Sequence, residues 1–213
     1  MQENYAALIG YAVGNGWISA ERRFEFVTNR QEESLANTLC ATLNLLRTDL
    51  GSKTSVGVLR RPGRQILYAK TRQQSVLDYM KSFAVLDKYA PNKKFTDTFL
   101  ALDSQYKRAA VRGLFSADGT VGPRQISLAT SSEILAHQVI SLLQEEGIDA
   151  RLSVYYRPIP NRSPEYSVRI YGKNRLLFAD RIGFIPESKK RTKLEETLKA
   201  HPPRMNIAAR AHN

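Results

Sequence analysis

The segment VRGLFSADG, residues 111–119, combines an apolar run with small residues and ends in an acidic residue followed by glycine. Gly113 and Ala117 are four residues apart, so they would lie on one face of a helix. Small residues at this spacing allow two helix backbones to approach closely. Gly119 is placed to end such a helix. The segment therefore predicts a helix that packs against a second helix and ends at Asp118.

A matching segment, LIGYAVGNG, occupies residues 8–16, and its Asn15 stands 103 residues before Asp118. Each segment is followed by a β-type stretch and then by a helical pattern. These regions are residues 24–28 and 33–46 in the first half and residues 126–130 and 132–146 in the second. A hairpin-like region and a closing helical pattern come next. They span residues 56–70 and 72–86 in the first half and residues 151–172 and 176–182 in the second.

The repeat predicts an α+β protein made of two pseudo-symmetric halves. We expect residues 1–92 to form the first half and residues 93–200 to form the second. The connection between them should lie at about residues 87–103, where the sequence has little periodicity. Residues 201–213 are expected to form a flexible tail.

Composition narrows the classes of protein to which the chain can belong. The 213 residues include 32 Lys and Arg against 20 Asp and Glu, which gives a formal net charge of +12. Such a surplus usually indicates a polyanionic partner, and nucleic acid is the first candidate. The 42% hydrophobic content is sufficient for a packed core and excludes global disorder. A single cysteine, Cys40, excludes an internal disulfide framework and a cysteine-cluster zinc site.

The sequence also bears on location. No apolar run approaches the roughly 20 residues that a membrane-spanning helix needs. The first residues, Met1 to Tyr5, lack the basic segment that leads into the apolar part of a secretory signal. We therefore expect a cytoplasmic protein that does not associate with a membrane.

Residues 151–157 and 166–171 alternate between apolar and polar side chains, which is typical of strands with one face in the core and one in solvent. The polar face is cationic, as a β-ribbon that enters a DNA groove requires. Ordinary surface charge on a solvated sheet is the alternative interpretation. The side chains expected to contact double-stranded DNA are Arg22, Arg30, Arg60, Arg61, Arg64, Gln65, Lys70, Arg124, Gln125, Arg151, Tyr155, Arg157, Arg169 and Lys173.

In combination, the two nine-residue segments resemble the signature motifs of the LAGLIDADG homing endonucleases, particularly the endonuclease domains carried inside inteins. Residues 92–96 resemble the lysine-bearing block before the second motif, and residues 182–190 resemble the closing segment of such domains. The resemblance covers residues 5–200. It implies a monomeric, pseudo-dimeric αββαββα fold, with two antiparallel β-saddles over a long DNA site that is cut on both strands.

The same resemblance implies the site residues. Asp118 and Asn15 occupy the two metal-ligand positions, next to the backbones of Ala117 and Gly14. Lys93 and Lys190 match lysines that face the active centre, although their neighbours Lys94 and Lys189 are alternatives. The implied cofactor is Mg²⁺ or Mn²⁺, with Ca²⁺ able to bind without supporting cleavage.

The sequence departs from the family pattern at Asn15, where a metal-binding aspartate is expected. Asparagine has nearly the same shape but no charge, so cleavage should be impaired. A decayed endonuclease and an engineered Asp→Asn substitution both fit, and slow cutting or nicking of one strand remains open. Two other functions also remain open. One is a DNA-binding protein of this fold without nuclease activity, and the other is an RNA-binding splicing cofactor.

Overall fold

The computed structural model describes residues 1–156 and 163–203. The first half of the chain contains α1 (Glu3–Asn15), β1 (Gly16–Ser19), β2 (Arg23–Asn29), α2 (Glu33–Asp49), β3 (Leu59–Arg60), β4 (Ile66–Thr71) and α3 (Gln74–Phe83). A connecting segment contains β5 (Ala84–Val85), β6 (Lys94–Phe95) and α4 (Asp97–Leu100). The second half contains α5 (Ser104–Asp118), β7 (Gly119–Val121), β8 (Gln125–Thr130), α6 (Glu133–Glu145), β9 (Ala150–Tyr155), β10 (Glu165–Tyr171), α7 (Asn174–Arg181) and α8 (Lys189–Ala200). The αββαββα order is therefore confirmed twice.

Each half folds into a four-stranded antiparallel sheet of the same topology. The strand order is β1-β2-β4-β3 in the first sheet and β7-β8-β10-β9 in the second sheet. In the second sheet, Val168 pairs with both Leu128 and Leu152, and this row faces the core. The next row along the strands faces outward, because successive side chains of a strand point to opposite faces. We call this the outer face of each sheet.

Helices α1 and α5 pack closely against each other because glycines lie at their crossing. A Cβ atom added at Gly113 would lie 1.9 Å from the carbonyl oxygen of Ala7. A Cβ added at Gly10 would lie 1.8 Å from the carbonyl oxygen of Ala110. The close helix packing expected from the motif is therefore present. It brings the C-terminal ends of the two helices together between the two sheets.

Gly119 follows the end of α5, as the motif predicted, in an extended backbone conformation. The helix ends at Asp118, and Gly119 has φ −66° and ψ 151°. Glycine is required here for space, since a Cβ would lie 2.4 Å from the carbonyl oxygen of Phe115. The chain can therefore turn directly from helix into strand β7 without an intervening loop.

The connecting segment is more structured than its weak periodicity indicates. Strands β5 and β6 pair with each other, and Phe95 stacks on Phe99 of α4 at 4.4 Å between ring centroids. Gln138 of α6 accepts from the Phe95 backbone NH and donates to its carbonyl oxygen, both at 2.9 Å. Residues 94–100 therefore contact both halves, since Phe95 binds Gln138 of α6 and Thr96 binds the carbonyl oxygens of Ser82 and Phe83 of α3. The exact division between the halves stays a prediction.

Beyond the predicted elements, α8 adds a helix that the sequence patterns did not indicate. Within residues 1–156 and 163–203, no helix is both long and apolar enough to cross a membrane. Most of the expected tail, residues 204–213, lies outside the described residues. Residues 201–203 follow α8 directly.

Candidate nucleic-acid interface and catalytic centre

The two motif residues predicted to share a site lie next to each other at the ends of α1 and α5. The Asn15 side-chain amide donates to the carbonyl oxygen of Ala117 at 3.4 Å. A Cβ added at Gly14 would lie 3.0 Å from the Asp118 carboxylate. Glycine at position 14 therefore leaves the space that the Asp118 carboxylate occupies. We call Asn15, Asp118, Lys93 and Lys190 the central cluster.

Two lysines reach this place from outside the helices, and each one hydrogen-bonds to the end of one helix. Lys93 Nζ donates to the carbonyl oxygen of Gly14 at 2.8 Å. Lys190 Nζ donates to the carbonyl oxygens of Ala117 at 2.6 Å and Ser116 at 2.8 Å. A cation is favoured here because the last carbonyls of a helix carry partial negative charge.

The neighbouring lysines are placed differently. Lys189 is exposed at the start of α8, and Lys94 is half-buried in β6. No hydrogen bond of either side chain to a motif helix occurs within the described residues. The geometry therefore favours Lys93 and Lys190 over their neighbours as members of the central cluster.

Burial dominates the electrostatics of the central cluster. It raises the pKa of Asp118 above its ordinary value of 3.8, against the opposing influence of Lys93 and then Lys190. Burial also lowers the pKa of Lys93, although the charges of Asp118 and Asp87 oppose this. The pKa of Lys190 is lowered by burial too, with Glu32 and then Asp118 opposing. Burial thus disfavours the charged form of all three groups, and the cluster contains one carboxyl group against two lysines.

The oxygen atoms of the central cluster determine which metal ion it could bind. Among the described residues, no three His, Cys, Asp or Glu side chains come together in a way that could hold a metal ion. Asp118 supplies one carboxylate and Asn15 an amide oxygen, while the carbonyls of Gly14 and Ala117 already accept from lysines. Hard oxygen donors suit Mg²⁺, which commonly uses one or two carboxylates plus phosphate oxygens. The cluster therefore fits a divalent ion only together with a phosphate ligand.

A carboxylate that sequence patterns did not single out also supports the central cluster. Glu32 of the first half accepts from the Ser188 hydroxyl and from the Lys189 backbone NH, both at 3.2 Å. It therefore caps the N-terminus of α8, the helix that carries Lys190. The contact joins residues more than 150 positions apart, so no local signal in the sequence could have indicated it.

A cavity of about 380 Å³ opens beside the central cluster on the side of the second sheet. Lys93 and Asp118 line it together with Ser131 and Glu165. Like Glu32, Glu165 at the start of β10 is an acidic residue near the central cluster that the sequence patterns did not single out. The cavity connects the helix ends with the edge of the outer face.

The second sheet presents the alternating pattern expected from its sequence. Arg169 pairs directly with Arg151 on one side and with Ser127 on the other, and all three belong to the outer face. Tyr171 pairs with Gln125 on the same face, and the Arg151 guanidinium lies 6.0 Å from the Tyr171 ring centroid. Tyr155 is exposed at the end of β9, whereas Arg157 lies outside the described residues.

The outer face of the first sheet is different, because a carboxylate occupies its centre. Glu25 is 2% exposed and lies between Arg61 at 2.8 Å and Arg23 at 3.4 Å. Tyr68 packs under the cations of Arg61 and Lys70, at 5.3 and 5.6 Å from its ring centroid. This neutralisation was not expected from the sequence.

The remaining predicted DNA contacts lie around the sheets. Arg60 pairs in register with the core residue Leu67, so it does not share the outer face with Tyr68; it is exposed and ion-pairs with Glu33 at 3.3 Å. The others are exposed and lie in turns or at strand ends: Arg22, Arg30, Arg64, Gln65, Arg124 and Lys173. Arg22 has a positive φ of 53°. The structure thus gathers Gln125, Arg151 and Arg169, together with Tyr171, on the outer face of the second sheet, and places Arg61 and Lys70 on the outer face of the first. Of the other described residues, Arg60 does not share these faces, and the rest lie in turns or at strand ends.

Comparison with known proteins agrees with this geometry. Residues 105–183 match the family model described as a LAGLIDADG-like domain. Mesophilic variants of the homing endonuclease I-DmoI share the fold with a TM-score of 0.66 and 13% identity, over 87% of this chain and 93% of that one. The second half of the chain therefore contains a LAGLIDADG-like domain, and the chain has the fold of I-DmoI. The resemblance stated from the two motifs is therefore confirmed.

Other matches show how widely the LAGLIDADG fold occurs. A DNA polymerase of Thermococcus sp. (strain GE8) is 35% identical over 117 residues, covering 52% of this chain and 7% of the polymerase. The chain thus spans only a small part of this curated relative. Full-length WhiA from Thermatoga maritima has the same fold, with a TM-score of 0.54 and 14% identity over 96% of this chain and 62% of that one. The fold alone therefore does not establish nuclease activity.

Proposed function

We propose that this protein is a site-specific DNA endonuclease of the LAGLIDADG type whose cleavage is impaired by Asn15. The outer faces of the two sheets bind one long duplex, and the central cluster meets the backbone where the duplex crosses the helix ends. One observation carries the proposal. A half-buried carboxylate, Asp118, interacts electrostatically with the buried Lys93 and the half-buried Lys190, at a helix junction flanked by two open sheets.

The chemistry of the donor set supports a divalent cofactor. Asp118 and the amide oxygen of Asn15, together with phosphate oxygens of DNA, would hold Mg²⁺ or Mn²⁺. When bound, such an ion makes water more nucleophilic and neutralises charge on the phosphate. Lys93 and Lys190 lie close enough to the helix ends to stabilise a phosphate placed there. I-DmoI has been solved in complex with DNA and Mn and in complex with DNA and Ca, which agrees with this class of ion.

The proposal includes a monomer, because a single chain supplies both sheets and both motif helices. A second copy would add no element that the first copy lacks. The alignment with a short part of a much larger polymerase supports an intein-type endonuclease domain, since such a domain occupies only part of its host protein.

The deciding experiment restores the second carboxylate. A duplex selected for tight binding is incubated with Mg²⁺ and with either the native chain or Asn15→Asp, and both strands are followed separately. We expect Asn15→Asp to cut both strands and the native chain to nick slowly or not at all. Asp118→Asn in the Asn15→Asp background is the control that should abolish cutting while binding persists.

A second candidate function is DNA binding without cleavage. Asn15 favours it, because an amide side chain brings no negative charge to a metal ion. The same assay separates the two functions. If Asn15→Asp binds the duplex tightly and cuts neither strand in Mg²⁺ or Mn²⁺, the endonuclease proposal is wrong and the binding function replaces it.

A further inference from the structure

The two sheets occupy equivalent positions but present different chemistry at their centres. In the first sheet, the strand directly after the motif helix places Trp17 opposite Glu25, and Glu25 lies opposite Lys70. In the second sheet, the equivalent row is Thr120, Ser127, Arg169 and Arg151. The first row therefore carries one negative and one positive charge, whereas the second row carries two positive charges.

The two arginines next to Glu25, Arg61 and Arg23, already form ion pairs with carboxylates. Arg61 Nη2 lies 2.8 Å from one carboxylate oxygen of Glu25, and Arg23 Nε lies 3.4 Å from the other. Arg23 also contacts Glu21 at 3.4 Å, and Arg61 stacks over the Tyr68 ring. With only 2% of Glu25 exposed, the pairs are shielded from water, so they are screened by salt less than an exposed pair.

The arginines of the second sheet are not held in this way. Among residues 1–156 and 163–203, no carboxylate forms an ion pair with Arg151 or Arg169. Arg169 Nε donates to the Ser167 hydroxyl at 3.1 Å, and within the described part of the chain its terminal nitrogens form no hydrogen bond. Arginine with free terminal nitrogens can donate two parallel hydrogen bonds to the major-groove edge of guanine.

We propose that Glu25 is a specificity-determining residue, which holds Arg61 and Arg23 away from the DNA backbone so that the two halves of the protein read their half-sites unequally. This inference rests on the DNA binding of the proposed function but does not depend on cleavage. The second sheet supplies most arginine contacts to base edges. The first sheet reads its half-site through Trp17, Tyr68 and Lys70 over a neutral cluster. Its low charge limits binding to unrelated sequences, because non-specific affinity depends on phosphate contacts.

Three variants test the role of Glu25. Glu25→Gln keeps the size and an acceptor oxygen but removes the charge, so Arg61 and Arg23, which are about one-third exposed, can turn towards phosphates. Glu145→Gln makes the same change of charge on α6, where its partner is Lys107, and is the matched control. The double variant Glu25→Gln/Arg61→Gln has the net charge of the native protein and removes the released arginine. Thermal melting of each variant confirms that it is folded.

The measurement is binding to duplexes with a randomised centre, in metal-free buffer, followed by titration of the selected duplex with salt. We expect strong base preferences in one half of the selected site and weak ones in the other. Arg169→Ala should weaken the strong half by about 5- to 150-fold and thereby assign it to the second sheet. Glu25→Gln should steepen the log–log salt slope by about 0.9 for each arginine that reaches a phosphate. Glu145→Gln should not, and the double variant should return towards the native slope.

Each other outcome has a definite meaning. Equal preferences in both half-sites, or equal slopes for Glu25→Gln and Glu145→Gln, would overturn the role of Glu25 while leaving DNA binding intact. Loss of preference for cytosine at one position in Glu25→Gln, without a change of slope, would also overturn it, since Glu25 would then read a base directly. No binding to any duplex would overturn the proposed function itself.

Discussion

Lys190 and Ala117 are joined by a hydrogen bond of 2.6 Å between the lysine Nζ and the carbonyl oxygen at the end of α5. The pair Lys93 and Gly14 repeats this contact at the end of α1, with 2.8 Å between the same kinds of atom. Gly14 and Ala117 occupy matching positions in the two motifs. Each motif helix therefore has one ammonium group on its C-terminal end.

This arrangement explains why a single carboxylate matters so much. With aspartate at both motif ends, two carboxylates would balance two lysines. With Asn15, the balance shifts to one against two, and a divalent cation meets net positive charge at the cluster. Metal affinity and cleavage should therefore fall together, while attraction for the DNA backbone should be retained.

Substitution of Lys190 tests the contact that joins it to α5. Lys190→Met leaves the carbonyls of Ser116 and Ala117 without this donor, so we expect a loss of about 1–3 kcal/mol in the free energy of unfolding. Lys189→Met, at the exposed neighbouring position, should change it by no more than about 0.5 kcal/mol. Urea denaturation measures both. Equal stability of the two variants would show that the Lys190 contacts contribute nothing.

The pKa of Asp118 gives a pH dependence of unusual sign. Because burial raises this pKa above the ordinary 3.8, the folded protein binds the proton more tightly than the unfolded chain. The contribution of Asp118 to stability is thus fully present below 3.8 and is lost as pH rises through the raised value. Asp118 is the carboxyl group of the cluster, so its contribution is tested in the acid range.

The comparison of the native protein with Asp118→Asn isolates this contribution. We expect the free energy of unfolding of the native protein, minus that of the variant, to fall as pH rises above about 4. Urea midpoints measured at several pH values give this difference. A difference that grows with pH would mean that attraction to Lys93 and Lys190 outweighs the cost of burial.

The sequence predicted the features that depend on local spacing. Small residues four apart predicted the close packing of α1 and α5, and hence the proximity of Asn15 and Asp118. Period-two alternation predicted which side of β10 carries Arg169. Both patterns succeed because they express helix and strand geometry directly. The functional roles of these residues stay predictions.

Features that depend on distant parts of the chain could not be predicted. Composition alone counts Arg61 as a positive charge that is free to contact DNA. In the structure, Arg61 pairs with Glu25, which lies 36 residues earlier in the sequence. Strands of two residues, such as β5 and β6, are too short to show a period. Glu32 reaches α8 only because the two halves pack together, and packing between halves leaves no mark on either local pattern.

Glu32 should contribute to stability through the cap that it places on α8. Replacement by alanine in Glu32→Ala removes the acceptor of the Lys189 backbone NH and of the Ser188 hydroxyl. Loss of a helix cap typically costs about 0.5–2 kcal/mol, and we expect a value in this range. Hydrogen exchange of the first-turn amides of α8 should accelerate at the same time.

Glu33→Ala is the matched control for this prediction, because Glu33 is the next residue and its carboxylate pairs with the exposed Arg60. An exposed ion pair is worth about 0–1 kcal/mol, and exchange in α8 should not change. If both variants accelerate exchange in α8 equally, the effect arises from the start of α2 and not from the cap.

The packing of α1 against α5 predicts a large effect of a single methyl group. In Gly113→Ala, the new Cβ would lie 1.9 Å from the carbonyl oxygen of Ala7, and backbone cannot move aside as a side chain can. Overpacking of this kind costs about 1–3 kcal/mol or more, so we expect a clear fall in the free energy of unfolding.

Gly57→Ala is the control, since a Cβ there meets nothing within 4 Å. It should leave stability unchanged or raise it by about 0.4–1 kcal/mol through the unfolded chain. Chemical denaturation compares the two, and a Gly113→Ala protein as stable as the control would show that the helices can separate without cost.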